Sequence, residues 1–170
     1  MAADRDPPTR GQRLFFWFAG VAAAIGMGWL GATLHLAGRA PIGLTPLGLG
    51  VALGLVVGVL AEALPAAPKK RLVGRTLALA FLAAIAQHAW LYEHFRGQWH
   101  QARAAAPEIA QFRPQSPWSP AEYFSRELAA APGRVAALWV SDAALLVAGA
   151  VGVMLVWRRK QTPPAGTPEG

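Results

Sequence analysis

Four apolar stretches, at roughly residues 14–36, 42–64, 72–92 and 135–157, take up most of this 170-residue chain. The hydrocarbon core of a bilayer is about 30 Å thick and takes about 20 residues of helix to cross. Each stretch reaches that length. Backbone N–H and C=O groups find no water at that depth, which leaves the helix and the closed barrel as spanning structures. Stretches of this length read as helices. The expected fold class is therefore all-α: a polytopic membrane protein with four transmembrane helices in an antiparallel bundle. Composition agrees, because charged residues make up 15% of the chain, against about 25% in a soluble domain. One transmembrane domain, residues 14–157, accounts for nearly all of the chain, with short tails at 1–13 and 158–170.

The net charge of +7 does not imply nucleic acid. The cations sit beside the spans, not along one polar helix, and the flanks of spans are where Lys and Arg set orientation. Arg5, Arg10 and Arg13 precede the first span. Lys69, Lys70, Arg71 and Arg75 stand between the second and third, and Arg158, Arg159 and Lys160 follow the fourth. The first outer connection has only Arg39, and the long one dilutes its arginines with Glu93, Glu108, Glu122 and Glu127. Both termini are expected in the cytoplasm. The Ala/Gly/Arg-rich composition suggests a bacterial cytoplasmic (inner) membrane. The first apolar run exceeds the 7–15 residues of a signal peptide, and its small-residue face (Gly20, Ala24, Gly28, Ala32) suits a retained span. Cysteine is absent, which excludes disulfides, thiolate metal sites and cysteine nucleophiles.

Both tails are expected to be disordered, since Pro7-Pro8 and the Pro/Gly-rich 161–170 segment cannot bury enough apolar area to offset ordering. The connections at 37–41 and 65–68 are short and predict hairpins. Residues 93–134 form the distinctive outer segment. Its first part, to Ala106, has no breaker except Gly97, so the third span is expected to continue outward as helix. Pro107, Pro114, Pro117 and Pro120 then impose extended or turn backbone. Ser119-Pro-Ala-Glu122 has the form of a capping box with proline at the first helical position. It predicts a short helix from Pro120 to about Ala131, lying at the headgroup level, with Phe124 and Leu128 on one face and Glu122 paired to Arg126 on another.

Lipid gives helices no hydrophobic reason to associate, so close packing of small residues has to hold a bundle together. The second span offers Gly50, Gly54 and Gly58, the fourth Ala144, Ala148 and Gly152, and the third Ala80, Ala84 and His88. The glycine face is expected to pack within the molecule, with homodimerisation as the competing use. Trp17, Trp90, Trp139 and Trp157 fall near span ends, where indole favours the interface, while Trp29 is expected to pack against a neighbouring helix.

Ionisable side chains at membrane depth are the default functional candidates. His35, His88 and Asp142 stand on three different spans at comparable depth near the outer interface. A His–Asp pair there can relay protons or hold a cation, and the plain reading is a structural polar cluster. Two histidines so near their span ends suit a haem poorly, so no cofactor is expected. Glu62, near the inner end of the second span, is expected to pair with Lys69, Arg71 or Arg75. His88, His94 and His100 recur every six residues and point in different directions, so they make no metal face. No metal site is expected. There is no phosphate-binding loop, HExxH, GxSxG or CxxC. The sequence thus predicts a non-enzymatic accessory or interaction protein with an outward-facing, partly helical loop. Its partners would be the lipid bilayer and a membrane protein or another copy of itself. The alternative is a small transporter, channel or proton-coupled component using His35, His88 and Asp142.

Overall fold

A computed structural model describes residues 9–38, 43–64, 69–106, 108 and 116–160. Within them the chain is all-helical, with no strand: α1 (Arg10–Leu36), α2 (Leu44–Ala63), α3 (Lys69–Ala105), α4 (Pro120–Ala130) and α5 (Pro132–Lys160). α1, α2, α3 and α5 are long and apolar enough to cross a membrane. By length and composition this is a multi-pass membrane protein. Of the tails expected to be disordered, residues 10–13 and 158–160 are instead helical, at the start of α1 and the end of α5; residues 1–8 and 161–170, the 65–68 connection, Pro107 and Pro114 lie outside the described residues.

Local chemistry sets where the helices begin and end. α1 starts four residues ahead of its apolar run because Thr9 and Gln12 form a capping box: the Gln12 N–H donates to the Thr9 hydroxyl, and the Thr9 N–H to Gln12 Oε1. α1 ends where Gly38 takes a left-handed φ of +63° and its N–H bonds back to the His35 carbonyl. Gly43 starts α2 from φ +83°. At the other turn, Pro132 both stops α4 and opens α5. It lacks the N–H that the first helical residue leaves unused anyway, so the expected break there is only one residue wide, at Ala131.

The two most intimate seams join helices running the same way. Along α1 and α3, Gly20 faces Leu79, Gly28 faces Ala83 and Ala86, and Gly31 faces Gln87. Along α2 and α5, Gly50 faces Leu146, Gly54 faces Ala150, and Gly58 faces Trp157. Both registers ascend together. α3 also packs on α5, and α1 on α2, so the order around the bundle is α1, α3, α5, α2. The core draws on all four: Phe16 and Ala24, Leu53 and Val57, Leu79 and Ala83, and Leu146 and Ala150 are fully or almost fully buried. The buried hydroxyl of Thr76 is satisfied locally by donating to the Leu72 carbonyl. On the outside the pattern inverts. Large apolar side chains such as Phe18 (76% exposed), Val140 and Ile85 point away from the protein, as a lipid-solvated surface requires.

Three packing expectations change here. On α5 the stripe Ala144, Ala148 and Gly152 is not the seam: Ala144 and Ala148 are exposed, and nothing lies within 4 Å of a side chain built on Gly152. The seam is one position round, at Leu146, Gly149, Ala150 and Val153. Trp29 is 48% exposed, not packed into the bundle. Arg126 does not pair with Glu122. Its guanidinium lies 4.4 Å above the Trp118 ring, and Glu122 is taken up by Ser119.

α3 reaches well past the bundle. Its 37 residues make about 55 Å of helix at 1.5 Å per residue, against the 30 Å or so of a bilayer core. In the α1–α3 register Gly31 meets Gln87, so the end of α1 at Leu36 is level with Tyr92. The rest of α3, residues 93–105, projects beyond α1 by about 20 Å.

Candidate functional site

The projecting part of α3 is the scaffold for α4. Tyr92 and Phe95, three apart on one helix face, present rings toward the segment 117–124. Phe95 stacks on Trp118 with centroids 5.3 Å apart and meets Tyr123 at 4.9 Å. Tyr92 meets Tyr123 at 5.7 Å, and its hydroxyl donates to the Trp118 carbonyl at 2.9 Å. The chain of rings continues through Phe124 to Trp139 on α5, with centroids 5.6 Å apart. Aromatic pairs in this range contribute about 0.5–1.5 kcal/mol each beyond their buried area. They hold a segment that no disulfide could secure. α4 is closed at its start by reciprocal Ser119–Glu122 bonds. These bonds, first the Ser119 N–H and then its hydroxyl, hold the Glu122 carboxyl below the usual glutamate range. Partial burial pushes the Tyr123 phenol up, and the Glu127 carboxylate adds to the effect.

His88 sits beneath this aromatic cap. Its ring makes edge contacts with Trp139 at 5.2 Å and with Phe124 at 6.0 Å. His35 on α1 and Asp142 on α5 are both within its electrostatic reach, and each is within reach of the other. The three sequence candidates therefore occupy one neighbourhood. They are not ligands of a common centre. No hydrogen bond or ion pair joins them, and no metal-sized group of His, Asp or Glu exists among the described residues. His35 is exposed in the last turn of α1, where a basic group suits the helix end, while His88 and Asp142 are half-buried. His94 is exposed and its Nε2 lies 3.0 Å from Gln98 Nε2. His100 packs edge-on against Trp99.

The Gly50, Gly54 and Gly58 positions lie along the α2–α5 seam. A Cβ at Gly50 would fall on the Leu146 carbonyl, and one at Gly54 would fall 2.7 Å from the Ala150 carbonyl. Gly149 answers from α5, where a Cβ would lie 2.5 Å from the Leu47 carbonyl. Glu62 is exposed near the C-terminal end of α2, on the rim of a groove of about 880 Å³ between α2 and α5.

The sequence reading passed over two features. One is the ring cluster itself, signalled by the i, i+3 spacing of Tyr92 and Phe95. The other is a groove of about 360 Å³ between the end of α1 and the projecting α3, walled by Trp29, Leu36, Trp90, Glu93, His94 and Gln98. With Trp29 expected to be packed inward, nothing pointed to it. No family model matches the chain, and neither the curated proteins nor the solved structures contain a match.

Proposed function

We propose that this is a non-enzymatic integral membrane protein whose projecting α3–α4 element is an interaction module, with the four-helix bundle as its anchor. One observation carries the reading: the ring cluster from Trp118 through Phe95, Tyr92, Tyr123 and Phe124 to Trp139, closed by the Tyr92–Trp118 hydrogen bond. A connection that only joined two spans would not need this much ordering. α3 and α4 together present an exposed polar surface that includes Glu93, His94, Gln98, Glu122, Arg126 and Glu127. The partner is a membrane protein or a second copy of this chain. The module lies on the outer side of a bacterial cytoplasmic membrane, both termini are cytoplasmic, the spans alternate in direction across their short connections, and α4 lies at headgroup depth. Trp118, Tyr123 and Arg126 are the residue types that favour that depth.

Crosslinking in native membranes followed by affinity capture tests the proposal. The expected result is a defined crosslinked species that disappears when residues 116–131 are replaced by a glycine–serine linker. A strictly monomeric protein with no crosslink would refute it. A reporter at either terminus is expected on the cytoplasmic side.

A second reading has its own support, the convergence of His35, His88 and Asp142 from three helices. In it, the cluster passes protons or cations. Proton flux in reconstituted vesicles decides the matter: abolition by Asp142→Asn would favour it, and flux that is absent or unchanged by the substitution would eliminate it.

A further inference from the structure

The groove between α1 and the projecting part of α3 is graded along its length. At its lower end stand Trp29, Ala32, Leu36 and Trp90. At its upper end, beyond the last turn of α1, stand Glu93, His94, Gly97, Gln98 and Gln101. Trp90 and Gln101 are eleven residues apart on one helix, about 16 Å. With the bundle in a bilayer, that distance runs from the top of the hydrocarbon through the headgroup layer. The groove's volume, about 360 Å³, is near the small end of ligand pockets. It is enough for a headgroup and the start of an acyl chain.

The upper rim has a definite polarity. Arg96 donates from Nη1 to both oxygens of Glu93, at 2.9 and 3.1 Å. The pair is about half-exposed on both sides, so each carboxylate oxygen still has a lone pair to offer and the guanidinium still has outward N–H groups. Gln98 Nε2 donates one N–H to His94 Nε2, and its amide keeps a second N–H and the Oε1 acceptor. The groove lining therefore offers the Glu93 carboxylate and an amide acceptor, with Arg96 bonded to Glu93 from outside the lining. The complement of a carboxylate and an amide acceptor is a cation that carries N–H donors.

We propose that this groove seats one phospholipid with a primary-amine headgroup, a phosphatidylethanolamine, in the leaflet away from the termini. The ammonium donates to Glu93 and Gln98 Oε1, and the upper acyl chain lies against Trp29 and Trp90. A choline headgroup has no N–H to donate, and an anionic glycerol headgroup is repelled by Glu93. The inference rests on the chain spanning a bilayer, but not on the interaction module having a partner.

The test is lipid retention. The full-length protein is reconstituted in vesicles of equimolar phosphatidylethanolamine, phosphatidylcholine and phosphatidylglycerol, re-extracted in mild detergent, and its bound lipid read by native mass spectrometry. An exposed charge pair contributes up to about 1 kcal/mol, so the expected enrichment of phosphatidylethanolamine is roughly fivefold over either competitor. Two variants localise it. Glu93→Gln keeps the shape and removes the anion. Gly97→Leu fills the groove floor, where a side chain would meet no protein atom within 4 Å, so the fold tolerates it. Both are expected to abolish the enrichment while the protein stays monodisperse and helical. Equal retention of the three lipids, preference for phosphatidylglycerol, or enrichment that survives in both variants would each overturn the assignment. Failure of the crosslinking experiment above would not affect it.

Discussion

Replacing Gly50 with alanine is the sharpest probe of how the bundle is held together. The added methyl would fall on the Leu146 carbonyl, with the Leu146 Cα at 3.0 Å. Backbone cannot rotate out of the way, so α2 and α5 must separate. A Cβ placed at Gly54 would lie 2.7 Å from the Ala150 carbonyl and need about 0.7 Å of opening to reach the 3.4 Å of ordinary contact; Gly50 is tighter, so that opening is a lower bound for it. A gap of that size forfeits about a quarter to a half of a van der Waals well. If about 40 cross-seam atom pairs contribute about 0.15 kcal/mol each, losing a third of it costs about 2 kcal/mol. Alanine returns about 0.5–1 kcal/mol as the better helix former, which leaves a net loss of about 1–1.5 kcal/mol. Gly152→Ala is the internal control: nothing lies within 4 Å of its new methyl, so only the gain applies. Unfolding in nanodiscs, followed by tryptophan fluorescence, should rank Gly152→Ala at or above the wild type and Gly50→Ala clearly below it. Gly58→Ala should lie between them, because it meets only the Trp157 side chain. A Gly50→Ala/Gly54→Ala double variant should lose less than the sum, since one opening of the seam accommodates both methyls. If Gly50→Ala and Gly152→Ala unfold alike, the seam is not where the bundle is held.

Leu53 is fully buried, and Leu53→Ala is expected to cost about 2–5 kcal/mol, whereas Phe18→Ala, on an exposed face, should stay within about 0.5 kcal/mol in the same unfolding assay. Tyr92→Phe removes the donor to the Trp118 carbonyl and is expected to cost about 1 kcal/mol of local stability, read as faster protease cleavage near residues 116–119 with the bundle intact. The cap of α4 should depend on pH. The folded-state Glu122 value is depressed, so the cap's contribution is complete above the ordinary glutamate value and disappears as pH falls through the lower folded one. Protease sensitivity at the start of α4 should rise over that acidic window, and Glu122→Gln should make it pH-independent; an unchanged acid profile in that variant would assign the sensitivity to another group.

Length and hydropathy alone disclosed the four membrane-competent helices, because apolar runs of 20 residues have few other uses. The face of α1 was legible too: Gly20, Ala24, Gly28 and Ala32 are all buried, with Phe16 and Gly31 beside them, and four-residue spacing of small side chains is what close approach demands. The α4 start was readable from Ser119 and Glu122 because a capping box is local chemistry. Which helix packs on which was not readable. Small residues recur on every span, and on α5 the conspicuous stripe Ala144, Ala148 and Gly152 faces away while the less regular Leu146, Gly149 and Ala150 make the seam. Pairing depends on two surfaces at once, and one helix shows only half of it. Arg126 was misjudged for a similar reason: i, i+4 spacing suggested Glu122, but Ser119 had already claimed that carboxylate and the Trp118 face offered the guanidinium a closer partner. For His35, His88 and Asp142 the position near a span end was legible, and their grouping was an expectation that the spacing of one helix cannot establish, since it depends on the order of helices around the bundle.

That order also bears on self-association. The glycine face of α2, which in isolation looks like a dimer seam, is occupied by α5 of the same chain, so a second copy could use it only by unpacking the bundle. Self-association would have to fall elsewhere, through the projecting α3–α4 element or at the exposed Ala144, Ala148 and Gly152 stripe, which is an available close-packing face. The two surfaces therefore separate two measurements. Gly50→Ala should lower unfolding stability and leave any oligomer distribution unchanged. Gly152→Leu should leave unfolding stability of the monomer nearly unchanged and dissociate an oligomer that forms through this stripe, in size-exclusion chromatography with light scattering. An oligomer that Gly50→Ala disrupts and Gly152→Leu spares would mean that the α2 glycines are exchanged between copies, with α2 and α5 pairing across the interface.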